Sequence, residues 1–198
     1  MDLVNLDDSM FIGKGAFKAA YRDPRDEKRC IKVLITDKTL DIDREINYRN
    51  IRDRRGKTSK ILTRYYGTVN TNKGIGYVFE YIMDYNGKLS QPIDKFFENI
   101  KKEKKWTELE FAVYKNTILE RFYTEFVNEV VIVTGVECCN FLVQRNSDDE
   151  YDVSLRIIDN IGIRTLIPLV GYVDYFGKKY CKKYWKRLLA ELKEDMII

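Results

Sequence analysis

The chain has 198 residues, a formal net charge of +4 and no histidine. This length suits one large domain or two small lobes, and 44% hydrophobic with 33% charged residues is a composition typical of globular proteins. The absence of histidine excludes Ser-His-Asp and Cys-His nucleophiles as well as histidine-bound zinc. The small, dispersed excess of cations does not indicate a nucleic-acid partner.

The N-terminal half is predicted to be a small sheet interrupted by one helix. Short runs rich in β-branched and aromatic residues alternate with turn chemistry such as NTNKG. The predicted elements are two strands around a glycine turn within 10–21, a strand at 29–35, a helix at 41–52, and strands at 61–69 and 75–82.

The character of the sequence changes after Gly87, where helical periodicity dominates. Thr107 and Glu110 fit a capping box that opens a long helix. The other predicted elements are a helix at 94–105, strands at 130–133, 140–143 and 154–158, and a helix at about 178–192. The sequence therefore predicts an α+β protein with two lobes, a β-rich N-lobe at about 1–87 and a mainly helical C-lobe at about 88–198.

The four cysteines, Cys30, Cys138, Cys139 and Cys181, form no C-x-x-C pair. We expect free thiols and therefore a reducing, cytoplasmic environment. The acidic N-terminal segment lacks the apolar core of a signal peptide. No run approaches the roughly 18 apolar residues of a membrane span, so none is expected.

Gly13 and Gly15 lie between two predicted strands, so they do not open a helix as a dinucleotide-binding fingerprint would. They fit either an ordinary hairpin turn or a hairpin tip that closes over phosphate groups, since glycine allows a close backbone approach.

Lys32 lies inside the apolar run RCIKVLI. Strand alternation puts it on the same face as Cys30 and Leu34. It is either a solvated strand lysine or a buried cation that needs a partner, for which Glu45 in the following helix is the candidate.

Asn140 begins one predicted strand and Asp159 ends another. Two oxygen-bearing side chains at facing ends of a hairpin could hold a magnesium ion, or both could simply start turns.

The order of these features, from glycine hairpin through strand lysine and helical glutamate to Asn and Asp-x-x-Gly, resembles that of a protein kinase. More closely, the sequence resembles the PhoP regulatory network protein YrbL family. The segments that carry the closer resemblance are RCIKVL, YYGTVNTNKGIGYVFEYIMDYNGK, NFLV and IDNIGIRTLIPL. It covers roughly residues 12–169 and implies a protein-kinase-like fold that binds ATP and Mg²⁺.

The resemblance implies a role for each matching residue. Gly13 and Gly15 would cover the ATP phosphates, and Lys32 would bind the α- and β-phosphates and pair with Glu45. Phe79 would guard the back of the adenine pocket, while backbone groups of Glu80 and Ile82 would hydrogen-bond adenine. Asn140 and Asp159 would hold magnesium, and Ile161 and Gly162 would complete a stretched form of the D-F-G element.

The catalytic loop departs from the kinase pattern H-R-D-x-x-x-x-N. Gly135 stands where Asp is expected, Val133 replaces His and Glu137 replaces Lys. Glu137, Asp84 or a partner's carboxylate are the candidate substitutes for the base. No A-P-E element follows Asp159, and the 39 residues after it are too few for a peptide-docking platform.

The expected function is Mg-ATP binding with phosphotransferase activity on an unknown acceptor. The alternatives are a pseudokinase that acts as a regulatory or binding module and a small-molecule kinase. The expected partners are the nucleotide and an unknown acceptor or protein partner.

The lysine-rich segments have their own alternatives. The final helix is predicted either to pack on the core with a solvated basic face or to lie on an anionic membrane. The run at 101–105 is read as a solvated face.

Overall fold

The computed structural model describes residues 3–164 and 169–194, with the side chains of 193 and 194 excepted. The fold is mixed α+β, as the sequence predicts, and it divides into two compact units. Residues up to Ile46 and Thr63–Ile82 form the first unit, while Asn47–Leu62 and the described residues from Met83 onward form the second. The segment 47–62 thus packs with the second unit, although it lies within the expected N-lobe interval.

The first unit is built on a five-stranded antiparallel sheet. Its strands are β1 Phe11–Lys14, β2 Lys18–Arg22, β3 Arg29–Leu34, β4 Tyr65–Thr71 and β5 Gly74–Glu80. They lie in the order β1-β2-β3-β5-β4. The helix α1, Leu40–Arg54, begins in this unit and is longer than predicted at both ends.

Strand β4 begins four residues later than predicted. Ile61 and Leu62 have the apolar character of a strand, but both are buried in the core of the second unit. The local pattern of apolar residues cannot distinguish a position in a strand from a position that is buried in the core outside any strand.

The two faces of the sheet carry separate apolar clusters. Ile31, Val33 and Val78 lie in the cluster on one face. Cys30, Phe79 and Ile42 of α1 lie in the cluster on the other face. The predicted alternation along β3 is therefore confirmed.

The second unit combines helices with a three-stranded antiparallel sheet. Its elements are β6 Gln91–Pro92, α2 Ile93–Lys104, α3 Glu108–Glu129, β7 Phe141–Arg145, β8 Val153–Ile157, α4 Leu169–Tyr172 and α5 Asp174–Glu194. The strands lie in the order β6-β7-β8. The predicted capping box at the start of α3 is confirmed: Thr107 accepts from the Glu110 N–H, and the Glu110 carboxylate accepts from the Thr107 N–H.

The core of the second unit is strongly aromatic. Tyr114 and Phe122 of α3 are fully buried with Phe97 of α2. Helix α5 adds Trp185, whose ring lies 5.8 Å from that of Phe126. The apolar stripe of α5 therefore packs on the core, as one of the two sequence alternatives predicts.

The predicted strand at 130–133 is wrong. Val130 adopts a left-handed conformation (φ 51°) and ends α3, and Val133 forms only an isolated bridge to Ile161. This pairing between distant segments leaves no signal in the local sequence. The last helix also begins at Asp174 rather than 178.

All four cysteines are free thiols, as predicted. Among the described residues, no helix has the length and apolar character needed to cross a membrane.

Candidate functional site

Lys32 is a buried cation in the middle of β3. Only 8% of the residue is exposed, so it is not a solvated strand lysine. Its cross-strand neighbours are Ala20 and Tyr77, and its Nζ lies 4.6 Å from the centroid of the Phe79 ring. The aromatic face attracts the ammonium group and offsets part of its lost hydration.

Glu45 is a buried acid of the first unit. It is 1% exposed and lies on α1 between Ile42 and Ile46, which belong to the cluster that also contains Cys30. Burial raises the pKa of the Cys30 thiol to about 11, while Lys32 lowers it and Glu45 raises it. Both charges therefore act on one sulfur, whereas a direct Lys32–Glu45 pair stays a prediction.

Gly13 and Gly15 flank the tip of the β1–β2 hairpin. A Cβ on Gly13 would meet no atom within 4 Å, and one on Gly15 would meet only the Lys18 carbonyl oxygen at 3.9 Å. Neither residue has a positive φ. The fold itself therefore does not require glycine at either position, because a side chain could be added there without a clash.

Phe79 ends the buried part of β5, where its ring lies 5.1 Å from that of Tyr65. The next residue, Glu80, donates its backbone N–H to the Arg64 carbonyl and accepts the Arg64 N–H at its side chain. Its carbonyl oxygen faces the Cys30 thiol at 3.8 Å. The Glu80 N–H is thus committed to the protein, and the side chain of Ile82 is buried.

In the second unit, β7 and β8 bring Asn140 and the residue before Asp159 together. The Ile158 N–H donates to the Asn140 carbonyl at 3.0 Å, directly beyond the pair Phe141 and Ile157. The predicted placement at facing ends of a hairpin is confirmed. Asp159 accepts the backbone N–H of Asn160 at 2.8 Å, and both Asn140 and Asp159 are half-buried.

The Glu137 carboxylate lies directly over Gly135. A Cβ on Gly135 would be 2.5 Å from Glu137 Oε2 and 2.9 Å from Oε1. The same Oε2 accepts from Asn160 Nδ2 at 2.6 Å and faces Asn140 Nδ2 at 3.4 Å. A carboxylate therefore occupies the space beside Gly135, although it belongs to residue 137.

Asn160 also belongs to this cluster, although it is not among the predicted site residues. Its φ of 57° is in the left-handed region, which asparagine tolerates better than most residues. Its carbonyl accepts the Thr134 N–H at 2.6 Å, which ties the two loops together. The Asp-Asn dipeptide after a strand is the only local signal for this turn.

Gly162 continues the same pairing, because its N–H donates to the Ile132 carbonyl at 2.9 Å. Its φ of 124° requires glycine. Ile161 is buried and bridges to Val133.

Buried polar groups hold the segment before Gly135 in place. The Tyr48 hydroxyl donates to the Val130 carbonyl and accepts the Ile132 N–H, both at 3.0 Å. Arg52 donates to the carbonyls of Glu129 and Val130. The sequence does not reveal this arrangement, because Tyr48 and Arg52 look like ordinary positions of a helix.

Side chains of helix α5 contact backbone groups of the same loop. The Tyr180 hydroxyl donates to the Val133 carbonyl, and the Cys181 thiol lies 3.3 Å from the Val131 carbonyl oxygen. The Glu191 carboxylate accepts the Cys138 N–H at 2.8 Å. The loop carrying Glu137 is therefore braced along its length.

Asp84, the other candidate carboxylate within the chain, is a turn residue. Its Oδ1 accepts from the Ser90 hydroxyl and from the Arg145 N–H. These bonds hold 84–90 against β7 and give Asp84 a structural role.

The described residues contain no group of three or more acidic or cysteine ligands suited to a metal ion. Magnesium, however, is commonly bound by one or two carboxylates together with substrate phosphates and water. Asp159 and Asn140 fit that kind of shared coordination and do not fit a cage made by protein alone.

The second unit thus presents a braced loop with Glu137, Asn140 and Asp159, and the first unit presents a buried lysine near an open glycine hairpin. The chain belongs to the PhoP regulatory network protein YrbL family, whose family model matches residues 4–193. It is 30% identical over 194 residues to the uncharacterized protein YrbL of Escherichia coli strain K12 and to the protein of the same name from Shigella flexneri. Each match covers 96% of this chain and 88% of the relative.

Proposed function

We propose that this chain is a Mg-ATP-binding protein of the protein-kinase-like class, with phosphotransferase activity on an acceptor that the sequence does not identify. The observation that carries the proposal is Lys32, an ammonium group held in the interior of β3. Buried ionisable side chains cluster at functional sites, and lysine is a common ligand of nucleotide phosphates.

The first unit would bind the nucleotide. Lys32 would contact the α- and β-phosphates, with its position fixed by Phe79 and by the carboxylate of Glu45. Gly13 and Gly15 leave room for phosphate oxygens to approach the hairpin backbone. The Glu80 carbonyl and the Ile82 N–H are the adenine contacts in this proposal, because the Glu80 N–H is already bonded to Arg64.

The second unit would bind the metal ion. Asn140 and Asp159 offer one amide oxygen and one carboxylate, which leaves most coordination positions to phosphate and water. When bound, magnesium would neutralise charge on the phosphates. The two protein ligands alone are too few for tight metal binding, so metal affinity should depend on the nucleotide.

Glu137 is the carboxylate that we assign to orienting an acceptor hydroxyl. It is exposed, and its Oε2 is held by Asn160 and near Asn140, so it is both accessible and positioned. Phosphoryl transfer depends mainly on positioning and charge neutralisation, which this arrangement supplies without an aspartate at residue 135.

Thermal unfolding with and without Mg-ATP tests the binding proposal. A ligand at about 100 times its Kd stabilises the folded state by roughly 2.7 kcal/mol, so a clear rise in Tm is expected for the wild type. Asp159→Asn and Lys32→Met should lose most of this rise. Lys102→Met, on the exposed side of α2, is the matched control and should retain it. The proposal would be refuted if Mg-ATP did not raise the Tm of the wild type. It would also be refuted if Lys32→Met and Asp159→Asn showed the same rise in Tm as the wild type.

Titration with Mn²⁺ separates the metal site from the nucleotide site. We expect weak Mn²⁺ binding alone and much tighter binding in the presence of ATP, with the difference lost in Asp159→Asn. Tight Mn²⁺ binding without nucleotide would contradict the proposal that phosphates complete the coordination of the metal.

The second candidate function is a pseudokinase that binds nucleotide without turnover, which Gly135 in place of Asp favours. Consumption of ATP distinguishes the two when wild type and Glu137→Gln are compared at saturating nucleotide. Turnover lost in Glu137→Gln with unchanged binding supports transfer. Binding without any turnover in the wild type supports the pseudokinase.

A further inference from the structure

The exposed side of α5 carries a cluster of cations. The six side chains lie within ten consecutive residues and all are exposed, and we call them the basic face: Lys178, Lys179, Lys182, Lys183, Lys186 and Arg187. Without these six charges, the formal charge of +4 would become −2. The cationic excess of the chain is therefore concentrated on one surface rather than dispersed.

Carboxylates offset little of the charge on the basic face. Asp174 interacts electrostatically with Lys178, one helical turn away, but its ion pairs are with Arg55 and Lys57. The sequence has no acidic residue between Tyr175 and Ala190. The acids that flank this stretch are used elsewhere, since Asp174 pairs with Lys57 and Glu191 accepts the Cys138 N–H. Within 3–164 and 169–192, no carboxylate forms an ion pair with any of the six cations.

The spacing of the cations works against the stability of the helix. Residues four apart are neighbours on a helix surface, and like charges at that spacing are destabilising. Four such pairs occur here: Lys178–Lys182, Lys179–Lys183, Lys182–Lys186 and Lys183–Arg187. An anionic partner would convert this repulsion into attraction.

Exposed aromatic residues adjoin the basic face at the start of α5. Tyr175 is 71% exposed and Phe176 is 43% exposed, and their rings pack edge to face at 5.5 Å. Tyr175 is one helical turn before Lys179, so the aromatic and cationic groups share a side of the helix. Tyr172 and Val173 extend the exposed apolar surface towards α4.

We infer that this surface docks on an anionic lipid membrane, independently of the proposed nucleotide binding. Lysine side chains pair with lipid phosphates and carboxylates, and aromatic rings enter the headgroup region. Five of the six cations are lysine, whereas arginine is the usual choice for recognising nucleic-acid phosphates. The exposed aliphatic Val173 gains from a lipid interface and has no role in stacking on bases.

The contact would be shallow and mainly electrostatic. The apolar stripe of α5, with Cys181, Trp185 and Leu188, is buried in the core of the second unit and is not available to lipid. Binding should therefore weaken steeply as salt screens the exposed charges.

Sedimentation of the full chain with phosphatidylcholine vesicles that contain about 30% phosphatidylserine tests this inference. We expect binding at low salt, at least tenfold weaker binding to pure phosphatidylcholine vesicles, and release at about 0.5 M salt. Lys182→Glu/Lys186→Glu should lower affinity at least tenfold, and Tyr175→Ser by a smaller factor.

Lys95→Glu/Lys102→Glu is the matched control, because it makes the same change in net charge at exposed positions of α2. It should change vesicle affinity by less than about twofold, and circular dichroism should show that both double variants are folded. Equal losses in the two double variants, or no preference for anionic vesicles, would overturn the inference. Tighter binding to a single-stranded oligonucleotide, or to an acidic polypeptide, than to vesicles at the same salt would also overturn it.

Discussion

The two units hold their candidate functional groups in opposite ways. In the first unit, Lys32 and Glu45 are buried within the sheet and its helix, so substituting them affects folding as well as the proposed binding. In the second unit, Glu137 is exposed and Asn140 and Asp159 are half-buried on loops above an aromatic core. Substitutions at the candidate residues should therefore change the stability of the first unit, whereas those in the second unit should leave its stability largely unchanged.

The largest expected effect is in the core of the second unit. Phe122→Ala removes a fully buried ring and should lower the free energy of unfolding by about 3–5 kcal/mol. Val113→Ala on the exposed side of α3 is the control and should cost less than about 0.5 kcal/mol. Denaturant titration gives both values. A small loss for Phe122→Ala would show that the core does not carry the stability of this unit.

Two glycine substitutions separate the needs of folding from those of ligand binding in the first unit. A Cβ on Gly76 would lie 2.5 Å from Ile31 Cγ2, so Gly76→Ala should cost about 1–3 kcal/mol through overpacking. Gly13→Ala has open space and should change stability by less than about 0.5 kcal/mol. Thermal unfolding measures both. If Gly13→Ala also reduces the rise in Tm that Mg-ATP causes, Gly13 is needed for ligand binding and not for folding.

A smaller effect concerns acid stability in the first unit. Burial of Asp23 tends to raise the pKa of its carboxyl, but hydrogen bonds from the side chain and backbone of Arg25 hold that pKa below 3.8. The resulting stability is present above pH 3.8 and is lost as the pH falls through the lower folded-state pKa. Asp23→Asn should therefore be less stable than wild type by about 1 kcal/mol at pH 7.

The difference between wild type and Asp23→Asn should disappear in strongly acidic solution. Urea titrations at several pH values from 7 downward measure this convergence. A constant difference across that range would show that the Asp23 charge does not contribute.

The smallest effect reports on the Glu137 loop without any assay of activity. Cys139 is the exposed thiol, and partial burial together with the Glu137 carboxylate raises its pKa. Glu137→Gln should lower this pKa and accelerate labelling of Cys139 at pH 8, by less than about tenfold. Glu120→Gln, at an exposed position of α3, should leave the rate unchanged.

Thiol labelling also tests the burial of the other cysteines. Cys30, Cys138 and Cys181 are buried and should react slowly in the native protein. Fast labelling of all four would show that these sites open readily.

The sequence predicts those features that are decided by local patterns. Alternation along β3 is sufficient to put Lys32 on the face of Cys30, and the Thr107 capping box fixes the start of α3. The predicted strand at 130–133 failed because Val130 ends α3 in a left-handed conformation. Only Ile132 and Val133 pair with a segment some 30 residues away, and that pairing is an isolated bridge. The position of Glu137 over Gly135 depends on the left-handed turn at Asn160, which no periodicity reveals.

The Glu137 carboxylate beside Gly135 limits which acids this loop can hold together. Aspartate at residue 135 would bring a Cβ to 2.5 Å from Glu137 Oε2, so the flexible Glu137 side chain would have to move away. The substitution would also place a second carboxylate beside the first, and like charges at that distance disfavour each other's ionisation. Members of the family should therefore rarely combine an acid at residue 135 with an acid at residue 137.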